Sequence, residues 1–295
     1  MEGGEDLGFL RVDEDGAVVT ITIDRPEQHN AISFAMWRDL GGILDRLAEE
    51  ARRYSDLRVV ILRGEGGRAL SAGSDLKEFS TMTIDEVRRC FLTMEQTISK
   101  VERLPYPVIA AIGGYALGSA FELACACDLQ VASERAQVGM PVARLGIMLS
   151  PEFTRRLVAL MGPNQAKDLL FTGRLLNAAE ARAVGLVTHV VPHEEVDPFA
   201  RRLAENMARL SPSSIRAAKR SVLLSQPAPP PDPAGEPVPY YIDEDDFREG
   251  VRAFLEKRAP RFDRPARPLR PALSPDSPCS TGPAEGNGHR PEAPR

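Results

Sequence analysis

One carboxylate interrupts the most apolar stretch of the chain. Glu122 lies within GYALGSAFELACACDLQVA, residues 114–132, where almost every other residue is small or apolar. Burying an unpaired carboxylate costs free energy, so such a group is usually paired, neutralised or used in chemistry. The stretch alone leaves two explanations open. Glu122 caps the helix or pairs with a buried arginine, or it acts as a general acid or base.

The residues before Glu122 could stabilise an oxygen that becomes negative. Gly114 and Gly118 flank a loop, and we expect Ser119 in the first turn of the following helix. Backbone N–H groups there lack partners within the helix and carry partial positive charge. Loss of one such donor to an enolate or oxyanion typically raises the barrier by about 3–4 kcal/mol. Because Glu122 follows Ser119 by three residues, both should face the same side of the helix.

A second segment of small residues follows a predicted strand. It reads ALSAGSDLKEF, residues 69–79. Gly73 can adopt backbone conformations closed to other residues, so the N–H groups of this loop could approach a ligand closely. Taken alone, the segment is more simply explained as an ordinary connecting turn.

The composition is that of a globular protein and argues against several classes of function. Of 295 residues, 43% are apolar and 27% charged, and the net charge of −5 argues against a general nucleic-acid binder. The acidic N-terminus lacks the apolar segment of a signal peptide, and no apolar run reaches the roughly 18 residues of a membrane span. The four cysteines have no zinc-like spacing, which favours reduced thiols. We therefore expect a cytoplasmic protein that has no membrane partner.

The elements that must position these loops alternate along the chain. Apolar periodicity and flanking turn residues predict strands over 17–24, 57–66, 128–133 and 186–191, a buried strand within 107–118 that runs into a loop, and helices over 33–53, 83–104 and through Glu122. Strands that alternate with helices indicate the α/β class.

Two proline-rich segments divide the rest of the chain. We predict a core with following helices over 1–225, a linker or insert over 226–239, a helical segment over 240–262 and a disordered tail over 263–295. Tyr240 and Tyr241 follow the insert and could line a pocket, although packing is the simpler role.

The two small-residue segments occur with other motifs in a characteristic order. These motifs are ITIDRPEQHNAIS (21–33), ALSAGSDLKEF (69–79), PVIAAIGGYALGSAFELACACDLQVAS (107–133), GMPVARLG (139–146), AKDLLFTGRLLNAAEARAVGLVTHVV (166–191) and EGVRAFLEKRAPRF (249–262). Together they resemble the crotonase superfamily, also called the enoyl-CoA hydratase/isomerase family. The resemblance extends over about residues 8–262, apart from the proline-rich insert.

The resemblance implies a fold, a substrate class and an assembly. The expected fold is a crotonase-like spiral of repeated strand–strand–helix (ββα) units, followed by a helical C-terminal region that mediates trimers. The expected ligand is an acyl-CoA thioester, in which coenzyme A is part of the substrate, and neither a further cofactor nor a metal is expected. A homotrimer, or a hexamer of two trimers, is the implied assembly, with no nucleic-acid partner.

The resemblance also implies roles for individual residues. The N–H groups of Ser74 and Ser119 would hold the thioester carbonyl as it becomes an enolate, and Glu122 would be the acid/base. The implied coenzyme A contacts are Arg25, Gln28, His29 and Ala31 in the RPEQHNAIS loop, Ala72, Asp75 and Leu76 at the adenine pocket, and Phe254 and Lys257 at the phosphates, often from a neighbouring subunit. Lys257 is equally well explained as a solvated cation in a last helical turn.

The chain departs from the family pattern at Val142. A second catalytic glutamate normally follows the proline of a GxPE segment, but the segment here is GMPV. Valine can neither transfer a proton nor hold a water molecule, so the two-glutamate hydration mechanism of the family is in doubt for this chain. Glu152 could reach the site from the next helix, or it could pair with Arg155 or Arg156.

Three functions remain open. The leading hypothesis is addition or removal of water across a 2-enoyl-CoA, or a related double-bond shift. The second is decarboxylation similar to that of methylmalonyl-CoA decarboxylase, although that branch usually has a polar side chain at the Ser74 position and a tyrosine near Leu149. The third is a non-catalytic acyl-CoA-binding protein.

Overall fold

The computed structural model describes residues 4–6, 8–51, 56–226 and 242–262, with only the backbone for 4–6. The strands are β1 (Gly4–Asp6), β2 (Leu10–Asp15), β3 (Val18–Ile23), β4 (Val59–Gly64), β5 (Ala69–Ser71), β6 (Val108–Ile112), β7 (Tyr115–Leu117), β8 (Leu129–Ser133), β9 (Gln137–Gly139), β10 (Leu176–Asn177) and β11 (His189–Val191). The helices are α1 (Phe34–Glu50), α2 (Leu76–Phe79), α3 (Ile84–Arg103), α4 (Ser119–Ala126), α5 (Pro151–Thr172), α6 (Ala178–Ala183), α7 (Val196–Ala208), α8 (Pro212–Ser225) and α9 (Glu244–Leu255).

Two sheets organise the fold. The larger has the order β1-β2-β3-β4-β6-β8-β11, and the smaller has the order β10-β9-β7-β5. In three successive units, β4-β5-α3, β6-β7-α4 and β8-β9-α5, the first strand joins the larger sheet and the second joins the smaller one; the short α2 lies within the first unit. This repetition confirms the α/β class and the predicted spiral of strand–strand–helix units.

The strand predicted within 107–118 is divided between the two sheets. It ends in the larger sheet as β6 and resumes in the smaller sheet as β7. The chain turns at Gly113 and Gly114, where an added Cβ would lie 2.5 Å from the Gly67 carbonyl oxygen and 2.1 Å from that of Arg68. Glycine is therefore required at this turn by close backbone contact.

Helices α1 and α3 begin where the sequence predicts. The Ser33 hydroxyl accepts a hydrogen bond from the Met36 N–H at the start of α1, and Thr83 forms a capping box with Glu86 at the start of α3. The two helices pack against each other and against the larger sheet through an apolar core that includes Trp37. Burial of one such large apolar side chain contributes about 1.5–3 kcal/mol.

The C-terminal helices cover the rest of the spiral. Helix α7 packs Val196, Ala200 and Ala204 onto the opposite face of the larger sheet. Helix α9 returns to the loop before α5, where an added Cβ on Gly250 would lie 2.5 Å from the Leu145 Cα. Residues 227–241 and 263–295 lie outside the described ranges, so the predicted insert, the tail and the roles of Tyr240 and Tyr241 remain predictions. No helix in the described ranges is long and apolar enough to cross a membrane.

Candidate active site

A cavity of about 520 Å³ lies beyond the C-terminal ends of β5 and β7. Most of the predicted site residues line it: Gln28, His29, Ala31, Ala72, Ser74, Asp75, Leu76, Ser119, Glu122, Val142 and Phe254. These residues come from five separate parts of the chain, and the fold brings them to one place.

The two loops predicted to supply oxyanion donors meet in this cavity. The Ser74 and Ser119 hydroxyl oxygens are 2.9 Å apart. Gly73 has a φ of +99°, and an added Cβ there would lie 2.7 Å from the Leu117 carbonyl oxygen, so only glycine permits this approach. Ser119 is the first residue of α4, where backbone N–H groups lack intrahelical partners.

The loop that carries Ser74 is fixed by backbone hydrogen bonds to Ile32. The Ile32 N–H donates to the Gly73 carbonyl at 2.9 Å, and the Asp75 N–H donates to the Ile32 carbonyl at 3.0 Å. Ser74 therefore lies in a short parallel bridge next to the RPEQHNAIS loop. This bridge couples the predicted coenzyme A loop to the predicted oxyanion site.

Glu122 is a buried acid at the wall of the cavity. Glu122 is 2% exposed, and its Oε1 atom has no hydrogen-bond partner among the described residues. Burial raises the pKa of Glu122 well above its usual value, and the hydrogen bond and charge of Glu95 raise it further, whereas Arg156 opposes the shift. The site therefore favours the neutral, protonated carboxyl.

A buried arginine connects Glu122 to two further carboxylates. Arg156 of α5 places Nη1 2.8 Å from Glu95 Oε1 and 3.8 Å from Glu122 Oε1, and places Nε 3.2 Å from Glu102 Oε2. Ser150 at the start of α5 donates its hydroxyl to Glu95 Oε2 at 2.7 Å. Sequence analysis did not single out Glu95, although it falls within the apolar face of the helix 83–104, and such a position signals a buried charge.

The position of the second family glutamate is apolar. Val142 is buried and lines the cavity at the start of a 3₁₀ turn, Val142–Arg144. Glu152 is not part of the lining, and it pairs with Arg155 at 3.1 Å. Of the two alternatives for Glu152, the structure therefore shows pairing with an arginine.

Two of the predicted coenzyme A contacts lie apart from the cavity lining. Arg25 is buried behind the RPEQHNAIS loop, where it pairs with Asp75 at 3.3 Å and donates to the Ala31 carbonyl at 2.8 Å. Lys257 is exposed just after α9, whose Phe254 does reach the cavity. The contacts of Arg25 and Lys257 with a ligand remain predictions.

Apolar side chains form much of the remaining wall of the cavity, which Glu27, Lys77 and Arg144 also line. The apolar residues are Phe79, Phe91, Met94, Met140, Leu145, Ile147, Met148 and Leu149. Methionine is flexible and polarizable, so this wall can adapt to apolar groups of different shape. Its composition suits an acyl chain.

The described part of the chain contains no group of three or more His, Cys, Asp and Glu side chains that could hold a metal ion. Cys90, Cys125 and Cys127 are free thiols. Burial raises the pKa of the Cys90 thiol to about 12, so it stays protonated and unreactive at neutral pH.

Comparisons with known proteins show which proteins the chain is similar to. The enoyl-CoA hydratase/isomerase family matches residues 13–265. The chain is 34% identical over 267 residues to the enoyl-CoA isomerase/hydratase fer4 of Mycosarcoma maydis, covering 87% of this chain and 97% of that protein. It is 31% identical over 257 residues to the short-chain-enoyl-CoA hydratase of Clostridium acetobutylicum, covering 86% and 97%.

Solved structures with the same fold include two that are relevant to the site. An enoyl-CoA hydratase from Bacillus anthracis has a TM-score of 0.68 and 35% identity, covering 86% of this chain and 98% of that chain. A methylmalonyl-CoA decarboxylase in complex with 2-nitronate-propionyl-CoA has a TM-score of 0.74 and 27% identity, covering 87% and 99%.

Proposed function

Because the chain belongs to the enoyl-CoA hydratase/isomerase family, we propose that it forms a thioester enolate and uses Glu122 to move a proton. The substrate is an enoyl-CoA, and the reaction is hydration, its reverse, or a double-bond shift. The observation that carries this proposal is that Ser74 and Ser119 meet beside buried Glu122 in one cavity.

The chemistry follows from charge development at the thioester. When a nucleophile adds at C3, or when the carboxylate form of Glu122 removes a proton from the acyl chain, negative charge moves to the carbonyl oxygen. The N–H groups of Ser74 and Ser119 stabilise this oxygen in a site where little water competes. Glu122 then gives its proton to the enolate carbon, which forms a C–H bond and leaves Glu122 as a carboxylate.

Val142 limits the proton chemistry. Hydration needs a group that orients water as well as one that moves a proton, whereas a double-bond shift can use one carboxyl that removes a proton at one carbon and returns it at another. The arrangement therefore favours the double-bond shift over efficient hydration.

The test compares wild type with Glu122→Gln on crotonyl-CoA and on a 3-enoyl-CoA. Hydration lowers the absorbance of the conjugated enoyl thioester, and isomerisation of the 3-enoyl substrate raises it. We expect Glu122→Gln to lose turnover by about 10²–10⁴-fold while its ligand affinity, measured by calorimetry, changes little. A fully active variant would disprove the assignment of Glu122.

Decarboxylation is the second candidate, supported by the likeness to the methylmalonyl-CoA decarboxylase structure and by the apolar residue at 142. Loss of CO2 would leave the same enolate, and Glu122 would protonate it. Release of CO2 from methylmalonyl-CoA, without turnover of either enoyl-CoA, would favour this reaction. Binding of acyl-CoA with no turnover of any thioester would instead favour a non-catalytic binding protein.

We propose the family assembly, a homotrimer or a hexamer of two trimers, and a cytoplasmic location. Apolar residues exposed on α8, Val222 and Leu224, support association through the C-terminal helices. Sedimentation at low and high protein concentration gives the mass of the assembly.

A further inference from the structure

Glu95 lies between the catalytic cavity and a second opening in the fold. Its helix, α3, packs against α1 on one side and α4 on the other. Between α1 and α3 is a second cavity of about 430 Å³, lined by Leu44, Asp45, Ala48, Glu95, Gln96, Ser99, Lys100, Arg103 and Leu104. Glu95 therefore borders this second cavity while its carboxyl shares Arg156 with Glu122.

The surrounding donors decide which of the two carboxyls keeps the proton. Glu95 accepts hydrogen bonds from Arg156 at 2.8 Å, from Ser150 at 2.7 Å and from Ser99 at 3.3 Å. Oε1 of Glu122, by contrast, is 3.8 Å from the same guanidinium nitrogen and has no hydrogen-bond partner among the described residues. Donated hydrogen bonds stabilise the charged form, so this environment favours the carboxylate at Glu95 and the proton at Glu122.

The other groups that face this pair are consistent with this assignment. From the neighbouring helices, Glu122 is affected by Glu95 of α3 and Arg156 of α5, and from its own helix it faces the Cys125 thiol. Glu102 pairs with Nε of Arg156, so the positive charge of this arginine is shared between Glu102 and Glu95. A hydrogen bond between Glu122 and Glu95 raises the pKa of Glu122, and such a bond requires one shared proton.

We propose that Glu95 is the proton-exchange partner of Glu122 and connects it to water in the second cavity. After Glu122 has given its proton to the enolate carbon, water in that cavity protonates Glu95, which transfers the proton to the Glu122 carboxylate. Glu95 returns to its charged form beside Arg156, and the water left as hydroxide takes a proton from the solvent. Glu122 is thus reprotonated while the acyl chain still fills the catalytic cavity. This inference rests on the proposed function.

The test measures exchange of the α-protons of butyryl-CoA in D2O by proton NMR, since this needs only reversible enolate formation. Glu122 first passes its proton to Glu95, and its carboxylate then takes an α-proton, which the same exchange with Glu95 replaces by deuterium. Wild type should exchange, and Glu122→Gln should not. Glu95→Gln should slow exchange by at least about tenfold, because the proton taken by Glu122 returns to carbon before it leaves. Glu102→Gln is the matched control, since Glu102 lies on the same helix and binds the same arginine. It should remain within about threefold of wild type, because it does not contact Glu122.

Exchange at the wild-type rate in Glu95→Gln, or equal slowing in both variants, would overturn the inference.

If wild type itself does not exchange, the proposed function fails, and the pH dependence of unfolding then tests the Glu95–Glu122 pair separately. A carboxyl with a raised pKa stabilises the fold at low pH, and this contribution is lost as the pH rises through its folded pKa. Above about pH 5, wild type should therefore lose unfolding free energy more steeply than Glu95→Gln. Equal slopes in urea unfolding would exclude a shared proton.

Discussion

Nη1 of Arg156 lies 3.8 Å from Oε1 of Glu122, and both side chains are almost inaccessible to solvent. The same guanidinium pairs with Glu95 and, together with Arg155, with Glu102, so it faces buried carboxyls contributed by both α3 and α4. Its loss would leave charges buried without a counterion, which is far more costly than loss of a surface ion pair.

Replacing Arg156 therefore tests the stability of this cluster. We expect Arg156→Leu to lower the free energy of unfolding by about 3–5 kcal/mol, measured by urea denaturation. Arg156→Lys, which keeps a charge but not the forked geometry, should lose less. Equal stability of Arg156→Leu and wild type at neutral pH would show that the carboxyls are already neutral.

A backbone substitution tests the oxyanion site directly. Ser119 occupies the first position of α4, where proline fits a helix. Ser119→Pro removes the backbone N–H group together with the hydroxyl that contacts Ser74, whereas Ser119→Ala removes the hydroxyl alone. Ser119→Pro should keep the fold and lower turnover by about 10²–10³-fold. Ser119→Ala keeps the N–H group and should retain most activity, and circular dichroism confirms that both variants fold. Equal activity of the two variants would mean that this N–H group does not bind the thioester oxygen.

A carboxyl at position 142 would supply the second catalytic carboxyl that the family pattern has and this chain lacks. Val142 lines the cavity, so Val142→Glu should raise crotonyl-CoA hydration by about tenfold or more. Burying the new group should cost about 1–3 kcal/mol of stability, seen as a lower melting temperature. Val142→Gln is of similar size but cannot transfer a proton. If both variants hydrate equally, the gain does not come from acid catalysis.

The ion pair between Arg25 and Asp75 joins two loops of the predicted coenzyme A site. Arg25→Leu should release the RPEQHNAIS loop and weaken acyl-CoA binding by about tenfold, with a smaller change in kcat, because neither side chain of the pair has a proposed role in moving the proton. Calorimetry with coenzyme A and steady-state kinetics measure the two effects. A loss confined to kcat would contradict a role in binding.

Sequence analysis predicted the main elements because their patterns are local. Alternation over 17–24 and helical spacing over 33–53 correspond to β3 and α1 within a few residues. The division of 107–118 between two sheets was not predicted, since it depends on contact of Gly113 and Gly114 with residues 67 and 68. Apolar periodicity does not report which sheet a strand joins.

The same distinction applies to the site. The loops of Ser74 and Ser119 could be identified from their own residues and neighbouring motifs. Glu95 could not be assigned, because its environment is created by Arg156 and Ser150, which lie more than fifty residues further along the chain. Arg25 likewise pairs with Asp75 and is not exposed to solvent, and this pairing depends on a tertiary contact between residues fifty positions apart.

Strands β5 and β7 are parallel neighbours in the smaller sheet, and each leads into one of the two serine loops. Interstrand hydrogen bonding fixes their separation at about 4.8 Å, whatever occupies the cavity. The separation of the two proposed oxyanion donors is thus set by the sheet, and we expect it to be the same for different acyl groups. We therefore expect selectivity among acyl groups to come from the methionine-rich wall. Substitution of Met94, Met140 or Met148 should change the preferred acyl chain length while the proton-transfer step is retained.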